Sequence, residues 1–278
     1  MTARKLGLLA VALLVGATVA TAIAAPEDER ARFLNLHRDK FPGIPIAEYV
    51  NGAMMVSADA RAQFDSIMSF PPFQGEIDAG KRLWESPLRN GRTLADCFPD
   101  QGRNVAGNYP MYDEARDELV TFEMAINRCL RASGDPELDY GDRATMGVLT
   151  AYARTLSDGM AMNIRVDSPG ALRKFENGRA FYFRRIGQMN LACASCHLNY
   201  AGHYFRDEII SPAVGQAVHF PVFRGGEFLH TLHMRYQVCM EAVRAAPFPA
   251  GSEELNELEY FHAYLSNGLP LRSSIYRR

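Results

Sequence analysis

The chain alternates between stretches whose apolar residues recur every three or four positions and short breaks rich in proline and glycine. In "DEARDELVTFEMAINRCLRA" the residues Leu119, Phe122, Ile126 and Leu130 are spaced 3, 4 and 4, the stripe of an amphipathic helix. In "GEFLHTLHMRYQVCMEAVRA" the residues Leu229, Leu232, Tyr236, Cys239 and Val243 are spaced 3, 4, 3 and 4, which predicts a second such helix with a cysteine on its apolar face. No stretch sustains the alternation of a half-buried strand, so the expected fold class is mainly α. Breaks at "SFPPFQGE" (69–76) and "MNIRVDSPG" (162–170) mark unit boundaries. They leave an N-terminal extension over 25–70, read as an extended lead-in with one helix, then a unit over 71–165 and another over 166–278.

The start of the chain has a different pattern. Arg4 and Lys5 precede an apolar run from Leu6 to Val19, and Ala22-Ile23-Ala24 follows as a small-residue cleavage pattern. Residues 1–24 are therefore expected to be a signal peptide. A membrane anchor is the competing reading, but the strongly apolar stretch is short for a span. Export would place the mature chain in the periplasm, an oxidising compartment, with no membrane span remaining. With 278 residues and 47% apolar content the chain can build a real core, and a net charge of −2 offers no basic footprint for nucleic acid.

The two units can be laid over one another. "AGKRLWESPLRNGRTLADCFPDQG" aligns with "NGRAFYFRRIGQMNLACASCHLNYAG", pairing Gly80 with Gly178 and Trp84 with Tyr182. "AINRCLRA" aligns with "RYQVCMEA", pairing Cys129 with Cys239, and both copies close alike, in "TLSDG" and "YLSNG". Three landmarks in register favour a duplication over a chance match of helical segments.

In the second copy, Cys193-Ala194-Ser195-Cys196-His197 is a Cys-x-x-Cys-His run, the attachment signature of a c-type haem. With five cysteines and seven histidines in the chain, chance would place such a run about 0.2% of the time. A zinc knuckle would need a second ligand pair at metal spacing, and there is none. Cys193 and Cys196 are then the covalent tethers and His197 the proximal iron ligand. In the first copy Leu94 and Phe98 stand where one thiol and the imidazole should be, so no haem is expected there. Its remaining cysteines, Cys97 and Cys129, are expected to form a disulfide in an oxidising compartment. Few helices, long loops and a haem in place of a large core suit two tandem cytochrome c-like domains, the N-terminal one having lost its haem.

Cys239 is left over, where a second axial ligand is due. Cys239, Met234, Met240, His219, His230 and His233 are all candidates on position, and a methionine would suit a simple electron-transfer cytochrome. His203, His219, His230, His233 and His262 are more readily read as surface or packing residues. Arg235 precedes Cys239 by four residues and shares its helix face, where a guanidinium favours a thiolate and offers a fork to an oxyanion.

At these residues the chain resembles the SoxA family, the larger subunit of the SoxAX cytochrome of bacterial thiosulfate oxidation. The likeness runs from about residue 70 to the C-terminus and is most specific in "CASCH", "LHMRYQVCMEAVRA" and "YLSNGLPLRSSIYRR". It implies a single-haem member with one haem c and a disulfide in the N-terminal half. It also implies that Cys239 is both distal ligand and catalytic cysteine, with a persulfide as its expected modification, and that Arg235 binds substrate. The implied activity is an L-cysteine S-thiosulfotransferase, joining thiosulfate to a cysteine of a SoxYZ-like carrier. A SoxX-like small cytochrome is the implied heterodimer partner and electron acceptor.

Overall fold

Pro26 and the acidic run Glu27-Asp28-Glu29 open helix α1 (Pro26–Lys40), and His37, Arg38 and Lys40 close it, so both ends suit the helix dipole. The structure, a computed structural model, describes residues 25–224, 228–273 and 275–277; the expected signal peptide lies outside the described residues. After α1 come 3-10 turns over Ile46–Met55 and helix α2 (Ala58–Met68), whose N-cap Ser57 accepts from the Ala60 amide at 3.2 Å. The extension is thus more ordered than a lead-in with one helix. The reason is tertiary: the Phe33 ring packs edge-on against those of Tyr182, Phe183 and Phe261, between 5.8 and 6.0 Å away, so α1 has an apolar surface to cover.

The rest of the chain uses one set of parts twice. Helix α3 (Gln74–Glu85) crosses α5 (Val148–Thr155), and α6 (Pro169–Phe183) crosses α8 (Glu253–Tyr264). A glycine sits at each crossing. A Cβ on Gly80 would lie 2.0 Å from the Val148 carbonyl oxygen, and one on Gly178 would lie 1.9 Å from that of Glu257. No side chain fits there, which explains the pairing of these two glycines in the sequence. Between the crossing helices of the first set come a cis peptide at Tyr109–Pro110, strands β1 (Met111–Asp113) and β2 (Glu118–Val120), and helix α4 (Phe122–Ala132). The second set inserts a hairpin of β3 (Tyr204–Phe205) and β4 (Glu208–Ile209). It then repeats the order with a cis peptide at Phe220–Pro221, β5 (Val222–Arg224), β6 (Phe228–His230) and α7 (Leu232–Ala242). Strand β5 is central, antiparallel to β6 and parallel to the C-terminal β7 (Ile275–Arg277).

Threonine caps fix where α4 and α7 begin. Thr121 Oγ1 accepts from the Met124 amide at 3.2 Å and Thr231 Oγ1 from the Met234 amide at 3.3 Å. The periodic stripes had predicted earlier starts. Leu119 and Leu229 instead belong to β2 and β6, where they stay buried. Their spacing reported burial correctly, but strand pairing claimed them before the caps. Among the described residues all strands are two or three residues long, so the architecture is mainly α.

The main apolar cluster is continuous from Phe33 through Trp84 and Phe122 to Phe175 and Phe261. Within 71–165, Leu94 and Phe98 are buried in it. The Phe98 ring lies 5.3 Å from that of Trp84 and 5.5 Å from that of Phe122. Cys97 and Cys129 form the expected disulfide, with Cα atoms 5.9 Å apart and the two residues separated by 32 positions in sequence.

Candidate functional site

The Cys-x-x-Cys-His run ends in a π-type turn, Ser195–Asn199, a geometry common at functional sites. His197 Nδ1 lies 2.9 Å from the Ser211 carbonyl oxygen. A carbonyl only accepts, so the proton sits on Nδ1 and the Nε2 lone pair is left free. Burial, with a contribution from Arg235, pushes the His197 pKa down to about 4, so the ring is neutral at pH 7. The back of the turn is tied to the N-terminal extension. The His197 carbonyl accepts from the Ala213 amide at 3.0 Å and lies 3.3 Å from His37 Nε2, while Lys40 Nζ donates to the Leu198 carbonyl at 3.1 Å.

Arg235 and Cys239 stand one turn apart on α7 and line the same cleft as Cys193, Cys196 and His197, a recess of about 360 Å³. The three cysteines here are free thiols. Burial, reinforced by Cys239, pushes the Cys193 thiol up to about 12 and raises Cys196 as well. Neither is an activated nucleophile, which suits tethers better than catalytic groups. The buried Tyr182 hydroxyl has no hydrogen-bond partner among the described residues, and both Tyr182 and His262 line the cleft. The Tyr236 hydroxyl lies 2.9 Å from His262 Nδ1.

The other candidates divide. Met240 lines the cleft beside Cys239, as do His219 and His262, two histidines the sequence pattern assigned to packing. His233 is held elsewhere, accepting from the Gly251 amide at Nδ1 (3.0 Å) with Nε2 3.0 Å from Glu259. Sequence reasoning missed Glu208 and Arg224, which line the cleft and pair with each other.

The family model for the SoxA/TsdA cytochrome c domain matches residues 79–162, inside the first unit expected from the sequence. SoxA of Allochromatium vinosum, an L-cysteine S-thiosulfotransferase subunit, is 40% identical over 95% of this chain and 95% of its own length. That of Chlorobaculum tepidum, named likewise, is 41% identical over 85% of this chain and 82% of its own. The chain belongs to the SoxA family. A solved structure agrees: the crystal structure of SoxXA from P. pantotrophus superposes with a TM-score of 0.68 at 28% identity, covering 75% of this chain and 79% of that one. Membership of the SoxA family and a cytochrome c domain imply a haem c, and the cleft residues fit one. Two protonated thiols stand three apart, a neutral imidazole keeps Nε2 free, and the buried Tyr182 hydroxyl on the wall has no partner among the described residues.

Proposed function

We propose that this SoxA-family chain is the haem subunit of an L-cysteine S-thiosulfotransferase, with one haem c in 166–278 and none in a degenerate cytochrome c-like domain over 71–165. Cys193 and Cys196 would tether the haem, and His197 and Cys239 would ligate its iron. The carrying observation is that Arg235 and Cys239, one turn apart, line the same cleft as the Cys-x-x-Cys-His run. The reaction joins thiosulfate to a carrier thiol, giving a cysteine S-thiosulfonate, one proton and two electrons. Bound haem supplies a one-electron acceptor beside the Cys239 sulfur. The second electron requires another redox centre, the role of a SoxX-like partner in a heterodimer.

What the protein contributes is electrostatic and positional. Thiosulfate is a dianion, and its approach to a second anionic sulfur is repulsive unless a fixed cation offsets it. The Arg235 guanidinium can fork the sulfonate oxygens while the sulfane sulfur meets Cys239. The oxidised thiosulfate adduct on Cys239, Cys–S–S–SO3−, can then pass its –S–SO3− group to the thiolate of a SoxYZ-like carrier by exchange, with the Cys239 thiolate as the leaving group. A simple electron-transfer cytochrome, with Met240 opposite His197, would have no use for Arg235 in this cleft. A periplasmic location follows from the expected signal peptide, and no described helix is long and apolar enough to cross a membrane.

Leu94, Phe98 and the disulfide support the haem-free reading of 71–165, and the family match over 79–162 supports its cytochrome c ancestry. The test is Cys239→Ala in the assembled complex. Conjugation should be lost while intact mass still carries one haem. Full turnover would remove Cys239 from the chemistry, and two haems would overturn the degenerate domain.

A further inference from the structure

Arg235 does not stand alone in the cleft. Arg224, on the central strand β5, also lines it, and so does Glu208 on the β3–β4 hairpin. One carboxylate serves both arginines. Glu208 pairs through Oε1 with Arg224 Nη2, and its Oε2 lies 4.0 Å from Arg235 Nη2. Two fixed positive charges therefore share the Glu208 carboxylate in the cleft that Cys239 lines, where Asp59 and Asp207 also stand. The surroundings are electropositive too. His230, on the neighbouring β6, is buried with Nδ1 lacking a partner among the described residues, and after burial itself Arg143, Arg224 and Arg235 all disfavour its protonation.

The two kinds of group are anchored differently. Arg224 is held by strands on both sides and its side chain is 19% exposed, whereas that of Glu208 is 40% exposed. The hairpin carrying Glu208 pairs only two residues per strand, and such small elements shift at little cost.

We propose that Arg224 and Arg235 form a paired-guanidinium seat for the sulfonate end of a dianionic sulfur substrate, and that Glu208 is the counter-ion this substrate displaces. The proposal rests on the reading of Cys239 and Arg235 given above and adds the basis of selectivity. With Glu208 in place the trio carries one net positive charge. When the carboxylate swings to solvent, two guanidiniums meet two negative charges. A thiolate or carboxylate monoanion gains less from the exchange, so the seat favours a sulfonate-bearing dianion over a simple thiol.

The test is thiosulfate turnover by the haem-loaded complex at fixed ionic strength, with KM and kcat measured separately. Glu208→Gln removes the competing charge and should lower KM about fivefold with kcat unchanged within about twofold. Arg224→Ala should raise KM about tenfold or more, and Arg224→Lys, which keeps the charge and loses the fork, should fall between. In an Arg224→Ala background the benefit of Glu208→Gln should shrink, because the carboxylate then competes for one cation only. KM within about twofold of wild type in both Glu208→Gln and Arg224→Lys, with Arg235→Ala inactive, would overturn the seat and leave the proposed function standing. Unchanged turnover in Arg235→Ala would instead overturn the reading of the site on which the seat depends.

Discussion

The two halves of this molecule use the same frame around different interiors. Each has a glycine where two helices cross, a cis-proline before a short strand pair, and a threonine-capped helix with a cysteine eight residues after the cap. In the first half that cysteine, Cys129, is joined to Cys97, and Trp84, Leu94 and Phe98 are buried in the same apolar cluster as Cys129. In the second half its counterpart Cys239 remains a free thiol on a cleft it shares with Cys193, Cys196 and His197. One half buries apolar side chains at these positions, and the other uses them to line a cleft. The frame tolerates both because its geometry is set at helix crossings and caps, away from the interior that differs.

Exchanging a single atom type at the two equivalent cysteines should separate them most sharply. Cys239→Ala should cut thiosulfate conjugation by about a thousandfold or more, with little change in unfolding midpoint. A Cys97→Ala/Cys129→Ala double variant should do the reverse. Opening the 32-residue loop should lower stability by about 3–4 kcal/mol in denaturant unfolding, while the folded protein keeps its turnover. If both variants lose activity in proportion to stability, the halves do not differ in role as argued here.

Much of this contrast is legible in the sequence, for covalent reasons. Cys-x-x-Cys-His needs all three residues at fixed spacing, and the Gly80/Gly178 and Cys129/Cys239 pairings follow from register alone. Features that depend on distant partners are not legible. Glu208 and Arg235 meet between a hairpin and a helix, and His37 reaches the His197 carbonyl from 160 residues away. The starts of α4 and α7 were misplaced because Leu119 and Leu229 obey helical spacing while sitting in strands. Burial dictates apolar character, and spacing alone does not say which backbone delivers it. The order in the extension was hidden because α1 is held by aromatic contacts to α6 and α8, which no local pattern encodes.

A smaller effect comes from transplanting a residue between halves. In the sequence alignment Phe98 falls on His197, and in the fold it stacks on Trp84. Phe98→His should therefore gain no haem by intact mass, since Leu94 offers no second thiol. It should also cost about 1–3 kcal/mol, because the imidazole is buried there without a partner. Haem attachment to that variant would mean that the first half retains a usable pocket.

The smallest effect concerns the seam between halves. Two residues past each threonine cap stand Glu123 and His233, and Tyr140 joins them: its hydroxyl lies 3.2 Å from Glu123 Oε2 and its ring stacks 5.0 Å from that of His233. His233 in turn lies 3.0 Å from Glu259 on α8. Burial, then repulsion from Glu259, raises the Glu123 pKa above its ordinary 4.5, against opposing pulls from Arg154 and His233. The native state therefore holds a proton that the unfolded chain releases as pH rises past about 4.5, so Glu123 stabilises the fold less as pH climbs towards its raised native value. Glu123→Gln keeps an acceptor for Tyr140 and removes the titration. Its stability, followed by chemical unfolding from pH 4 upward, should fall less steeply than that of wild type, by an amount on the order of 1 kcal/mol at the alkaline end. Parallel pH curves for the two proteins would show that the seam carries no proton of its own.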